Sequence, residues 1–382
     1  MAAAARTFTR TGMGAIMALP QPRPGVMSIP LYEAGKSQIK GATRIMKLSS
    51  NEAALGPSPL AIAAYGPLAA PLHRYPAGDS WALRAAIAEV HGLESARIIC
   101  GGGSDEMFGL LCRAYAGPGD EIIHTEHAFA IFAIYARSVG ATPIAVPEKN
   151  LTADVDAILA AVTANTRLVF LANPNNPTGT YVSGAEVARL RAGLREDIIL
   201  VLDGAYAEFV EAPDYDSGFD LAARTPNTVA TRTFSKIYGL AALRLGWAYG
   251  PAATIGAMER LRAPFNVTAP AQAAGVAAVR DQAHIARAKA HNTKWKGVVV
   301  QRLRGLGLTV GETWANFVLP EFPRAAGKSA AEADAFLQSR GIIVRRVDSY
   351  GLPNHLRITI GNDDEVAAML DALAAFMEGR RA

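Results

Sequence analysis

The feature that most limits how this chain can fold is a series of short apolar runs without polar alternation, each stopping abruptly at a polar or glycine residue. Ile198-Ile-Leu-Val-Leu202 stops at Asp203, Arg167-Leu-Val-Phe-Leu-Ala172 stops at Asn173, and Arg97-Ile-Ile-Cys100 stops at three glycines. A strand that is apolar on both faces must be covered on both faces, which is the condition of a parallel sheet sandwiched between helices. Similar runs at 121–125, 142–146, 228–233 and 245–249 alternate with helix-period segments at 104–115, 129–139 and 186–194. The expected fold class is therefore α/β, with a mostly parallel, doubly wound sheet. At 382 residues the chain exceeds the roughly 250–300 that one core usually serves, so a second domain is expected. After about residue 266 the pattern changes to one long Ala-rich helix over 269–306. It is followed by strands at 316–319, 341–345 and 356–360 and a closing helix over 364–376, the signature of a smaller α+β unit. The segment 80–90 places Trp81, Leu83, Ile87 and Val90 near helical period, which reads as core packing.

Composition narrows the function classes. Half the residues are apolar and 19% are charged, which excludes disorder. The net charge of +4 comes without a basic cluster, so no nucleic-acid partner is expected. The most apolar stretch, 60–72, is interrupted by Gly66, Pro67 and Pro71 and is shorter than the roughly 18 apolar residues of a spanning helix, so no membrane segment is expected. Residues 1–19 read as a disordered tail, with Met17 an alternative start. Cys100 and Cys112 lack Cys-x-x-Cys spacing, which suggests neither zinc nor a disulfide and fits reduced thiols in a cytoplasm. His124-Thr-Glu-His127 lacks the helical spacing of a metal pair, and Ser37-Gln-Ile-Lys40 lacks the companion motifs of a serine acyl transferase. No metal is expected.

Four segments carry chemistry. In Thr231-Arg-Thr-Phe-Ser-Lys236, the lysine follows a buried strand beside Thr233 and Ser235, with Arg244 downstream. Such a lysine can hold a carbonyl cofactor as a Schiff base if its amine is uncharged, while the hydroxyls and the guanidinium bind a phosphate. Asp203 sits at the carboxyl end of a buried strand, the rim where α/β sheets bind ligands, and needs a cationic or hydrogen-bonding partner there. The pyridinium nitrogen of pyridoxal phosphate suits it, with Tyr206 hydrogen-bonding the phenolic oxygen. Asn173-Pro-Asn-Asn-Pro-Thr-Gly179 makes an irregular loop that can aim the Asn176 amide. Gly101-Gly-Gly-Ser-Asp-Glu106 opens a helix whose N-terminus suits a phosphate, although an ordinary helix capped by Ser104 is the plainer reading.

In this order the four segments closely resemble the fold-type I, class II pyridoxal-phosphate-dependent aminotransferases. The likeness is strongest to the histidinol-phosphate aminotransferase branch and extends from about residue 20 to the C-terminus. Its further marks are Tyr32-Glu-Ala-Gly-Lys36, Leu48-Ser-Ser-Asn-Glu52, Arg74-Tyr-Pro76, Gly341-Ile-Ile-Val-Arg345 and Tyr350-Gly-Leu-Pro353 with Leu356-Arg-Ile-Thr-Ile-Gly361. The resemblance implies a fold-type I transferase holding pyridoxal 5'-phosphate through Lys236, with Asp203, Tyr206 and Asn176 around the ring. It places Ser104, Asp105, Thr233, Ser235 and Arg244 near the phosphate, and Phe129 stacked on the ring where relatives commonly carry Tyr. Tyr75 would reach the cofactor phosphate of a neighbouring subunit in a homodimer with shared sites. Arg357 and Arg345 would bind the anionic groups of the substrate, with Tyr32 and Asn51 as further contacts. The implied division is 20–50 as an N-terminal segment packed on the small domain, 51–268 as the large cofactor domain and 269–382 as the small one. Two departures stand out: Asn51-Glu-Ala-Ala lacks a proline common in relatives, and Asp203-Gly-Ala-Tyr206 has Gly204 where many have Glu.

The function implied is transfer of an amino group between glutamate or 2-oxoglutarate and imidazole acetol phosphate or histidinol phosphate, in histidine biosynthesis. The alternative is an aromatic amino-acid aminotransferase acting on phenylalanine or tyrosine. A decarboxylase on the same scaffold would release carbon dioxide without a keto-acid acceptor, and a non-catalytic binding protein has no need of the whole set of cofactor residues.

Overall fold

The computed structural model describes residues 22–32, 35–41 and 44–379, so the tail expected over 1–19 lies outside the described residues. A seven-stranded sheet forms the centre: β1 (Ile98–Gly101), β2 (Glu121–Thr125), β3 (Thr142–Val146), β4 (Thr166–Ala172), β5 (Ile199–Asp203), β6 (Thr228–Thr233) and β7 (Gly246–Tyr249). Their spatial order is β1-β7-β6-β5-β4-β2-β3, with β7 antiparallel to both neighbours and the other pairs parallel. The apolar runs behave as their pattern requires. In β5, Ile199 and Val201 enter one core while Leu200 and Leu202 enter another on the opposite face.

The first of these cores is closed by α1 (Ser104–Tyr115), which buries Met107, Phe108, Leu110 and Leu111. Phe132 stacks on Phe170 at 4.7 Å, and Phe108 meets both edge-on. Each such buried ring contributes about 1.5–3 kcal/mol by leaving water, so this face of the sheet is rigid. The carboxyl ends of the parallel strands are thereby held in fixed register, with Ala172 opposite Asp203 and Asp203 opposite Thr231.

Three features differ from expectation. The helix expected over 269–306 is two helices, α2 (Ala269–Arg280) and α3 (Gln282–Gly305), broken at Asp281. The Asp281 side chain caps α3 at the His284 N–H and also accepts from Ser58, so local capping overrides the Ala-rich helical propensity. The run 341–345 splits: Ile342–Ile343 pairs in parallel with Met46–Lys47, while Arg345–Arg346 joins another sheet. Trp81 is 65% exposed, although Leu83 and Ile87 on the same helix are buried. At about 100° per residue Trp81 lies roughly 200° from Leu83, on the opposite face.

Beyond α3 lies a second core. Its sheet has β8 (Phe317–Val318), β9 (Arg345–Arg346) and β10 (Leu356–Thr359) in the antiparallel order β8-β10-β9. Helix α4 (Asp363–Met377), started by an Asn362 capping box, buries Met369, Leu370 and Leu373. Leu48 from the N-terminal segment joins this core. The segment after Leu48 therefore runs along β10, where the Thr359 N–H donates to the Leu48 carbonyl at 2.9 Å, before it meets the central sheet.

Candidate functional site

One cavity of about 350 Å³ opens at the carboxyl edge of the central sheet, between it and β9–β10. The strand ends bring most of the expected residues into it: Asp203 from β5, Thr233 from β6, then Ser235 and Lys236, with Asn176 from the loop after β4. Ser104 and Asp105 enter from the start of α1, Phe129 from the loop after β2, and Tyr32 and Asn51 from the N-terminal segment. Arg345 and Arg357 close it from the second core. Tyr75 is elsewhere, 82% exposed and stacked on Phe265 at 4.5 Å.

Lys236 is half-buried, and its Nζ donates to the Ser50 carbonyl at 3.0 Å. Burial, followed by the nearby Arg357 cation, brings its amine down to about 7. At neutral pH a large fraction is thus the free base, the form that attacks a carbonyl carbon. Asp203 is pushed up to about 6 by burial, opposed by a hydrogen bond from Thr231 Oγ1 (3.2 Å) and by the Arg232 charge. It remains mostly a carboxylate at pH 7, poised to take a cationic N–H.

Arg232 also explains Gly204. The buried guanidinium donates to the carbonyls of Thr231 and Ser217, lies 4.3 Å over the Phe219 ring and faces Glu208 at 3.7 Å. A Cβ on Gly204 would stand 1.9 Å from its Nη1, so a side chain there would require the buried, hydrogen-bonded Arg232 guanidinium to move.

A second cluster suits an oxyanion. Gly103, in the left-handed region at φ 97°, is the residue before α1, and no side chain caps that helix end. Ser104 is therefore its first residue and not the cap, and the leading N–H groups stay open toward the cavity. Arg244 reaches across with Nη2 on Asp105 (3.0 Å) and Nη1 on Ser235 Oγ (3.2 Å). Gly246 lies so close that a Cβ would meet the Ser104 nitrogen at 2.3 Å, which locks the helix start against β7. Phe129 meets Tyr32 edge-on at 6.2 Å, and both Asn–Pro bonds of the Asn176 loop are cis.

The third cluster is cationic. Arg345 and Arg357 are direct cross-strand partners in β9 and β10 and so project to the same side. Like charges so placed repel, which is the arrangement of an anion site. Arg357 donates to Asn176 Oδ1 (2.5 Å) and to the Ser49 carbonyl (2.6 Å), while its buried Nε has no hydrogen-bond partner among the described residues. Because the guanidinium only donates, it fixes the Asn176 amide with its NH₂ available to the cavity.

Some functional groups carry no sequence signal. The carbonyls of Ser49 and Ser50 hold Arg357 and Lys236, and a backbone carbonyl looks alike at every position. Tyr350 lines the cavity and lies in one of the motifs named above, where it is assigned no role. His127 Nδ1 pairs with Glu148 at 3.0 Å, and among the described residues no group of three or more His, Cys, Asp or Glu side chains is placed to hold a metal ion. Cys100 and Cys112 are buried free thiols pushed up to about 12 by burial, which leaves them unreactive.

Comparison with known proteins agrees with this geometry. Residues 43–373 match the family described as aminotransferase class I and II. The chain is 56% identical over 361 residues to a histidinol-phosphate aminotransferase of Rhodospirillum rubrum, covering 94% of this chain and 98% of that one. A second, from Paramagnetospirillum magneticum, is 54% identical with 94% and 99% covered. The crystal structure of histidinol-phosphate aminotransferase from Sinorhizobium meliloti in complex with pyridoxal-5'-phosphate superposes with a TM-score of 0.86 at 26% identity, covering 95% of this chain and 99% of that one. With a buried lysine amine, a strand-end aspartate and paired arginines around one cavity, and with a family match across most of its length, this chain belongs to the class I and II aminotransferases.

Proposed function

We propose that this chain is a pyridoxal 5'-phosphate-dependent histidinol-phosphate aminotransferase, exchanging an amino group between glutamate and imidazole acetol phosphate. The observation that carries the reading is the convergence of the free-base Lys236, the ionised Asp203 and the Arg345–Arg357 pair on one cavity. The names of the relatives at 56% and 54% identity support this substrate over phenylalanine or tyrosine.

The cofactor is tested by the fit of the residues. The Asp203 carboxylate can take a cationic N–H, the Lys236 amine can take an aldehyde, and the uncapped start of α1 with Arg244 beside it can take an anion. Pyridoxal phosphate answers all three. Lys236 would hold its aldehyde, Asp203 its ring nitrogen, Tyr206 and Asn176 its ring oxygen, and Phe129 its face. Ser104, Thr233, Ser235 and Arg244 would hold the phosphate, with Asp105 orienting Arg244. When bound, this group supplies an electron sink for the pair left on the substrate α-carbon.

The remaining work belongs to the side chains. Asp203 keeps the ring nitrogen protonated through a charge-assisted hydrogen bond in a site shielded from water. The Lys236 amine takes the proton from the substrate α-carbon and returns it on the other side of the exchange, a role its value near 7 suits. Arg357 and Arg345 fix the anionic ends of the substrate, so the α-hydrogen stays aimed at Lys236 Nζ. Tyr32 and Asn51 complete the wall of the substrate side.

In this reading residues 51–268 hold the cofactor, and 269–382, with 20–50 packed on them, supply the two arginines. The protein is cytoplasmic, which its unpaired buried thiols support; among the described residues no helix is long and apolar enough to cross a membrane. It is a homodimer in which Tyr75 serves the partner's site. The exposed Tyr75 and Phe265, stacked on each other at 4.5 Å, support this, since large apolar side chains grouped on a surface mark an interface. Sedimentation at micromolar concentration is expected to show twice the chain mass, and an active monomer would refute the shared site.

The test of function is an amino-donor panel with 2-oxoglutarate, following the pyridoxal-to-pyridoxamine spectral change. Histidinol phosphate is expected to exceed phenylalanine and tyrosine in kcat/KM by at least about tenfold, because each well-placed charge-assisted contact to a phosphate is worth about that factor. A preference for phenylalanine would reverse the assignment.

A further inference from the structure

Behind the cofactor tyrosine lies a hydrogen-bond chain that ends on a residue of the second core. Asn51 is buried and left-handed at φ 56°, a conformation that asparagine tolerates better than most residues. It is held by three contacts. Its backbone N–H donates to Thr359 Oγ1 (2.9 Å), Thr359 Oγ1 donates to its Oδ1 (3.1 Å), and its carbonyl accepts from Asn316 Nδ2 (3.0 Å). The other end of the Asn51 amide, Nδ2, donates to Tyr206 OH at 2.8 Å.

The direction of these bonds follows from counting protons. The Thr359 hydroxyl already accepts the Asn51 N–H, so its single proton needs an acceptor, and Asn51 Oδ1 is that acceptor. The amide must then present its NH₂ group to Tyr206. Tyr206 OH accepts from it and keeps its own proton free to donate into the cavity. With the amide reversed, the Thr359 proton would be buried without a partner and Tyr206 would spend its proton on Asn51, a worse arrangement on both counts.

We propose that Thr359 is a positioning residue for the reaction: through Asn51 it sets the hydrogen-bond polarity of Tyr206, so that the phenol always faces the cavity as a donor. Burial supports this by pushing the Tyr206 hydroxyl up to about 12, which keeps it protonated. The chain also joins the two cores. Thr359 lies at the end of β10, two residues beyond Arg357, and Leu48–Asn51 is strung between this strand and the lysine and tyrosine of the central site. The inference rests on the reading of Tyr206 as a cofactor ligand.

The test uses the full-length holoenzyme and three variants. Thr359→Val keeps the shape and removes both hydroxyl roles. It is expected to lower kcat about tenfold, the effect of one misdirected hydrogen bond at a reacting group, with KM for the amino donor within about twofold. Thr359→Ser keeps the hydroxyl and is expected to restore kcat to within about twofold of wild type. On a Tyr206→Phe background Thr359→Val is expected to have no further effect, because its action passes through the phenol. Pyridoxal phosphate affinity, titrated on the apo-protein by fluorescence quenching, is expected to fall with Thr359→Val and to recover with Thr359→Ser.

Equal losses in the valine and serine variants, or an undiminished loss on the Tyr206→Phe background, would mean a packing role and overturn the proposal. So would a valine variant indistinguishable from wild type. If Thr359→Val does not fold, Asn51→Asp carries the test, since it replaces the donor facing Tyr206 by an acceptor of the same shape and is expected to give the same fall in kcat. A wild-type protein that takes up no pyridoxal phosphate would instead defeat the assignment of the site itself.

Discussion

Lys236→Ala is expected to reduce transamination by about 10³-fold or more, the upper part of the range for removing a positioned general acid and base, and to abolish covalent attachment of the cofactor. The lysine is the one amine in the cavity whose environment favours the free base. Burial is the larger cause and the Arg357 cation the second. In the unfolded chain the same amine titrates near the ordinary lysine value of 10.5, so the folded cavity, and not the lysine itself, makes it reactive. Among the described residues its one hydrogen bond is to the Ser50 carbonyl, and truncation therefore breaks no ion pair. The variant should fold and melt close to wild type. Borohydride reduction with pyridoxal phosphate should add mass to the wild type and none to the variant; retained turnover or a retained adduct would remove Lys236 from the mechanism.

Arg357→Met is expected to cost about 100-fold in kcat/KM, carried mainly by KM, because losing one partner of a buried charge pair typically costs 2–5 kcal/mol. Methionine fills much of the volume but cannot hold Asn176 Oδ1, the Ser49 carbonyl or a substrate anion. The same change has a second signature. Arg357 disfavours the protonated form of Lys236, so removing it raises the Lys236 value above about 7. The form required for attack is the unprotonated one. The acid limb of the pH profile, and the midpoint for cofactor uptake by the apo-protein, should both move to higher pH. An unchanged KM with an unmoved limb would exclude Arg357 from the anion site and from the tuning of the lysine.

Gly204 and Trp81 show where a sequence pattern stops informing. Gly204 reads as a departure from relatives, and its reason appears only when Arg232, from the next strand, is found to occupy the space a side chain would need. Trp81 matches a helical period in number but not in angle, and its helix turns it to solvent. The break at Asp281 is similar, since a cap bonded to the distant Ser58 decides against the propensity of the surrounding alanines.

The central strands and their coverage on both faces were legible in the sequence, and most of the residues it singled out for a site line one cavity. Uninterrupted apolar runs have few places to go other than a buried sheet, and Asp203, Lys236 and Asn176 stand where those runs end. Tertiary structure decided what each group can do. The antiparallel β7, the pairing of Arg345 with Arg357, the Ser49 and Ser50 carbonyls and the Thr359–Asn51–Tyr206 chain all join residues far apart along the chain. The physical reason is that a local pattern encodes which surfaces seek burial, whereas protonation states and hydrogen-bond directions depend on dielectric, charge and partners that exist only once the two cores have closed around the cavity.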